Sequence, residues 1–158
     1  MPIYLQLDGI PGEATQADHK NWMVIQSMNW DVSRNMKTPA GSAMNREASE
    51  PRISEFTLNK VSDSSSVKLF QEACSGNRGK TAVIHLVSTG DPGETYIEYT
   101  LENALIADYQ IESYGRRPVE SISLNFTKMQ LKYIPRGNSN EPGSPQISSY
   151  DLATTKAG

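Results

Sequence analysis

Apolar and polar residues alternate along most of this chain with the period of two that a β-strand imposes. The longest such run is 119–133, VESISLNFTKMQLKY, which contains neither Gly nor Pro. At ~3.3 Å per residue it would reach roughly 50 Å, far past the usual strand of about five or six residues. Its apolar side changes phase. Ile122, Leu124 and Phe126 sit at even positions, whereas Met129, Leu131 and Tyr133 sit at odd ones. Because side chains alternate between faces, this predicts one strand serving two packing environments, with a neighbouring subunit as the candidate for the second.

The other elements follow from the same pattern. Residues 3–8 read as a short strand that stops at the turn Gly9-Ile10-Pro11-Gly12. Residues 21–33 predict a long strand with Trp22, Val24, Met28, Trp30 and Val32 on one face. Its other face carries Met23 and Ile25, then Ser27, Asn29 and Asp31. Residues 34–50 hold no Val, Ile, Leu or aromatic residue, which predicts a long loop of the kind that serves a function or stays disordered. Strand character resumes over 52–60. One helix follows, capped by Asp63 and ended by Gly76, with Val67, Phe70 and Cys74 on a stripe beside Leu69 and Ala73. Strands are expected at 81–88 and from 94 to 113, the second with a bulge or bend near Asn103. From Pro135 onward, Pro, Gly and Ser supply ten of twenty-four residues, so an extended or mobile polar tail is expected. The sum is an all-β fold, a mainly antiparallel β-barrel or sandwich with one flanking α-helix. It divides into a barrel domain at 1–134, including the extended loop 34–50, and a polar C-terminal tail at 135–158.

Composition narrows the function classes. A chain of 158 residues fits one domain with a real but modest core. Net charge is −3, the sequence pI is near 5.4 and no Lys/Arg run occurs, which argues against nucleic-acid or anionic-membrane binding. The longest apolar runs are four residues, 22–25 and 104–107, too short for a transmembrane helix or a signal-peptide core, so no membrane insertion is expected. A single cysteine forms no internal disulfide and suits synthesis in a reducing cytoplasm.

Candidate chemistry is sparse. Residues 74–81, CSGNRGKT, end like a phosphate-binding loop, but Cys74 replaces the first glycine and the order is helix, loop, strand, which leaves no helix N-terminus for a phosphate. Cys74 with His19 and His85 could suggest a cysteine hydrolase. Cys74, however, falls on the expected apolar stripe of the helix, and the three are too dispersed for a recognisable zinc site. Trp22 and Trp30 could stack a sugar if exposed, but their apolar neighbours predict packing. No catalytic residue, cofactor or metal is expected.

Taken together, several pieces resemble the haemolysin-coregulated protein (Hcp) family, the inner-tube component of type VI secretion systems. The resemblance runs from Tyr4-Leu5-Gln6-Leu7-Asp8-Gly9-Ile10-Pro11-Gly12-Glu13 through His19 and Trp30. It continues with Phe56, Lys60, Asp63, Leu69 and Ala73-Cys74-Ser75-Gly76, and closes with Leu124-Asn125-Phe126 and Tyr133. It implies a structural protein without catalytic residues that forms a homohexameric ring. Such rings stack into a tube propelled by a contractile sheath, behind a tip spike protein, and can carry effector proteins in the lumen. It also implies synthesis in the cytoplasm and export to the extracellular space or a target cell without a signal peptide. With the sequence ending at Gly158, no fused toxin domain is expected.

On this reading Ser27, Asn29 and Asp31 are expected to face the lumen, as the polar side of the strand that carries Trp30. Arg46, Glu47, Glu50 and Arg52 are expected to make ring-stacking contacts at the end of the loop. Met129, Leu131 and Tyr133 are expected at the subunit interface, because Lys128, Gln130 and Lys132 keep their reverse face wet. The alternative is a monomeric β-sandwich that binds a glycan or protein ligand.

Overall fold

The structure, a computed structural model, describes residues 1–38, 40–41, 47–90, 93–137 and 141–158. Its strands in chain order are β1 (Ile3–Leu7), β2 (Met23–Ile25), β3 (Ser27–Asn29), β4 (Val32–Ser33), β5 (Met36–Lys37), β6 (Glu47–Ala48), β7 (Arg52–Ile53) and β8 (Phe56–Val61). After the helix α1 (Ser66–Ser75) come β9 (Lys80–Val87), β10 (Thr95–Glu112), β11 (Val119–Asn125), β12 (Lys128–Tyr133), β13 (Gln146–Asp151) and β14 (Lys156–Ala157). All strand pairings are antiparallel, which bears out the all-β reading with one helix.

Two sheets share β10. Its first half lies between β9 and β12, in a sheet that runs β2-β1-β9-β10-β12-β13-β14. Its second half pairs with β11, which continues to β8 and β3. The register shifts at Leu101/Ala104 and Ile106/Asp108 mark where the strand bends from one sheet into the other, at the place where the sequence changes phase. Asn103 takes a φ of 56° there, and a Cβ on Gly79 would stand 2.6 Å from its Cα, so the bend needs a glycine opposite.

The run 119–133 is two strands, β11 and β12, broken at Phe126-Thr127. Ile122, Leu124, Phe126 and Met129 all enter the same core, with Leu131 packed against it. The phase change is therefore a corner between sheets: the offset restores the inward face after the chain turns. Within the chain the two halves therefore pack on one core, which corrects the expectation that they face opposite sides. The predicted strand 21–33 breaks for the same reason. Met23 and Ile25 are buried, whereas Val24 and Val32 are exposed and Met28 and Trp30 are half-buried. The inward face passes from odd to even positions at Gln26, between β2 of one sheet and β3 of the other.

Helix α1 also differs from its expected orientation. Leu69 is its one buried apolar residue, while Val67 is 76% and Phe70 60% exposed and Cys74 is exposed. The tail is ordered as strand: β13 joins β12, β14 returns along β13, and Ser149 and Gly158 exchange both backbone hydrogen bonds. Arg136 ties its start to β10 by donating from Nη2 to the Thr95 carbonyl at 2.9 Å.

The helix is anchored by buried charge. Lys60 and Glu120 oppose each other on the inner face of β8 and β11, both fully buried. Lys60 Nζ donates to Glu120 Oε2 at 2.7 Å, to Asp63 Oδ1 at 2.9 Å and to the Val61 carbonyl at 3.0 Å. Asp63 Oδ1 accepts from the Ser65 amide at 2.8 Å, just before the helix begins, and Tyr109 donates to Glu120 Oε1 at 2.5 Å. Burial alone would raise both carboxyl groups. The bonds from Lys60, Ser66 and Tyr109 outweigh it at Glu120, and those from Ser65 and Lys60 do so at Asp63, so both are held below their ordinary values. Burial, then Glu120, pushes the Tyr109 phenol up. The carboxylates thus stabilise the fold fully above their ordinary values of 4.5 and 3.8, and that contribution is lost as pH falls through the lower folded values.

Replacing Lys60 with Met strands Glu120 as an unpaired buried charge and should cost about 3–5 kcal/mol in urea unfolding. The double variant Lys60→Met/Glu120→Leu should recover most of that loss. A single variant as stable as the parent would show that the cluster contributes little.

Candidate functional site: the outer face of the smaller sheet

Inward-facing residues of β8 and β11, namely Phe56, Leu58, Ile122 and Leu124, are fully buried. Every second residue between them points to the other side of the sheet. Register aligns these into two cross-strand rows. Ser27, Asn59, Ser121 and Gln110 form one; Asn29, Thr57, Ser123 and Asp108 form the next. Within them Asn59 Nδ2 donates to Ser27 Oγ at 3.0 Å, and Gln110 Nε2 to Asp108 Oδ2 at 3.2 Å. Hydroxyls and amides dominate, with Asp108 the one charge in either row. Such a wall is wetted through hydrogen bonds and offers no large apolar patch to hold a passing surface.

Of the three residues expected on this face, Ser27 and Asn29 lie in the rows. Asp31 lies past the end of β3, exposed, where its amide donates to Ser54 Oγ at 2.8 Å. Thr57, Asn59, Ser121, Ser123, Asp108 and Gln110 were not singled out from sequence. Their signal was present in the alternation of FTLNKV and SISLN, but which strands share a face depends on pairing, which sequence alone does not give.

Among the described residues, neither β3 nor the 105–112 half of β10 has a second strand partner, so this sheet ends in open edges on both sides. Within the loop 34–50 the described residues include one short antiparallel pair. β4 pairs with β7 at its base and β5 with β6 further out. Arg46 lies outside the described residues. Glu47 is in β6, where its backbone pairs with Lys37; Glu50 and Arg52 are exposed near the base.

Met129 is 7% exposed and belongs to the core, which removes it from the expected interface set in the isolated chain. Leu131 is half-buried and lines a shallow apolar groove with Trp30, Val32, Ile53 and Tyr150. Tyr133, at the strand's end, is 45% exposed. His19 and His85 contact each other on the outer side of the larger sheet, and Cys74 is a partner of neither. Among the described residues no cluster of His, Cys, Asp or Glu is arranged to hold a metal ion.

A β-rich fold with two polar rows on one sheet face, open edges on that sheet among the described residues and a short two-stranded extension (the arm) defines a structural domain. The chain belongs to the Hcp family: the family model described as "Type VI secretion system effector, Hcp" matches residues 4–133. This is a family of structural tube proteins, not of enzymes, and its members are secreted. Membership implies an oligomeric ring within the type VI system. Solved structures share the fold. A type six secretion system protein superposes with a TM-score of 0.91 at 21% identity, covering 99% of both chains. Hcp1 from Salmonella typhimurium gives 0.81 at 21% identity, over 99% of this chain and 98% of the other. A type VI secretion system effector from Yersinia pestis gives 0.75 at 23% identity, over 94% and 98%. A search of curated protein sequences returned no match. No described helix is long and apolar enough to cross a membrane.

Proposed function

We propose that this chain closes into hexameric rings that stack into the tube of a type VI secretion machine, with the two polar rows turned to the lumen. One observation carries this reading: a sheet with a buried inner face, two outer rows of polar side chains with Asp108 their one charge, and, among the described residues, two open edges. Repetition of such a sheet around an axis would satisfy the edges and bring the polar faces together around one channel. Effector proteins would travel in that lumen, with a contractile sheath outside and a spike protein at the tip. Cytoplasmic synthesis would precede export to the extracellular space or a target cell.

Electron microscopy of the purified protein should show rings, whereas a glycan- or ligand-binding module would run as a monomer. In a Cys74→Ser background, a bulky maleimide label on Asn29→Cys should leave the ring intact and reduce cargo retention. Dissociation of the labelled ring would place this face at a subunit contact.

For the interface the proposal rests on Leu131 and Tyr133, where the groove meets the strand's exposed end. Tyr133→Asp should yield folded monomers by light scattering with unchanged circular dichroism, since Tyr133 lies outside the core cluster. A full ring from this variant would remove the assignment. Leu131→Asp is a less clean probe, because Leu131 also packs on the core.

For stacking the proposal rests on the arm, with Glu47, Glu50 and Arg52, and with Arg46 carried from sequence alone. Exposed ion pairs contribute about 0–1 kcal/mol each and are screened by salt, but a ring repeats them around its rim. Reversing Glu47 and Glu50 to Lys should weaken tubes more than rings in sedimentation. Equal loss of both would make the arm part of the ring itself.

A further inference from the structure

Between β1 and β2 the chain crosses the outer face of the larger sheet. Residues 12–22 fold back on themselves: the Gly12 amide donates to the Asn21 carbonyl at 2.8 Å, Ala14 to Trp22 at 2.9 Å and Asn21 to Ala14 at 2.9 Å. Ala14 and Trp22 of this segment pack with Tyr4 and Val87 of the sheet into a second small core. His19, 2% exposed, stacks on Tyr4 with ring centroids 4.5 Å apart and meets Trp22 edge-on at 4.8 Å.

The polar tie between this segment and the sheet is a contact of two imidazoles. His19 Nε2 stands 2.8 Å from His85 Nδ1, and His85 Nε2 stands 2.8 Å from Glu98 Oε2. Gln16 Oε1 lies 2.5 Å from His19 Nδ1, and Thr95 Oγ1 lies 3.4 Å from His85 Nδ1. Tyr4, His85, Glu98 and Lys132 are neighbours in one cross-strand row, so β1, β9, β10 and β12 all face the pair. The charged groups around it are Asp18 on the strap side, and Glu98 and Lys132 on the sheet side.

We propose that residues 12–22 are a strap latched by the His19–His85 contact, and that full protonation of the pair unlatches it. The contact holds one proton between two nitrogens. With both rings fully protonated, two N–H groups would point at each other at 2.8 Å and two cations would share a site shielded from water. Glu98 balances one of those charges, and Lys132 opposes the second. Burial holds both histidines below their ordinary value of 6.5. At His19 the neighbouring His85 adds to this and Asp18 opposes it; at His85 Glu98 opposes it and Lys132 adds to it. A lowered folded value means that the latch is at full strength above about pH 6.5 and weakens as pH falls through the folded values. Release would expose Tyr4 and Val87 on the sheet, together with the underside of the strap at Ala14 and Trp22. This inference does not depend on the ring reading.

Hydrogen exchange on the intact protein tests it, with opening constants corrected for intrinsic rates between pH 7.5 and 4.5. The Gly12, Ala14 and Asn21 amides report on the strap; amides paired between β9 and β10 report on the sheet. Strap opening should be flat above pH 6.5. Below it, opening should rise by about tenfold per pH unit for each proton taken up, while the sheet stays closed. His85→Gln keeps an acceptor for His19 and should flatten the rise. Glu98→Gln removes the balancing charge and should move the rise to lower pH. A strap that stays flat to pH 4.5, or that opens only together with the sheet, overturns the proposal in the parent protein alone. An unaltered rise in a folded His85→Gln variant overturns it as well.

Discussion

The ammonium group of Lys60, removed from water, is the constraint on which the arrangement around it depends. A buried cation is tolerated only if its donors are met, and its acceptors come from β8 itself, from Asp63 before the helix and from Glu120 on β11. Meeting them fixes the register of β8 on β11 and the point at which α1 begins. Tyr109 extends the same network to β10, the strand shared by both sheets. One charge thereby ties together the smaller sheet, the helix and the corner between sheets, a specification that apolar contacts, being non-directional, supply less sharply.

With the inner faces fixed, the outer faces separate by chemistry. The two rows of the smaller sheet show mainly hydroxyls and amides, and the larger sheet is covered in part by the strap, whose His19 meets His85 of β9. Val67 and Phe70 are exposed on the helix and Val32 beside the groove near Leu131, whereas the two polar rows themselves hold no apolar side chain. On the proposed reading, rows free of apolar side chains would suit a wetted channel, because an apolar patch there would bind cargo too firmly to release it.

Much of this was legible in the sequence. Period-two alternation gave the strands, the bend at Asn103 and the break of the fold into mainly antiparallel sheets. Wrong inferences came from positions where a strand changes sheets. At Gln26 and at Phe126-Thr127 the inward face moves by one residue, and a periodic pattern cannot say whether such a slip means a corner or a second partner. The helix misled for a different reason: Val67, Phe70 and Cys74 form a good stripe, yet Lys60 and Asp63 fix the start of α1, and Leu69 became the buried contact. The tail and the arm were hidden because their strands hold few apolar residues; backbone pairing with a neighbouring strand stabilises them. Ser27 and Asn29 were legible as a polar face, whereas the four-strand rows around them required the register.

The arm's construction as a paired ribbon governs how its length can change. One residue added to each of its strands lengthens it by ~3.4 Å and keeps the pairing. A residue added to one strand alone forces a bulge or turns every outer side chain to the opposite side. Changes of reach that preserve the contact surface should therefore arrive as matched insertions, two residues at a time, and related chains should differ in arm length by even steps.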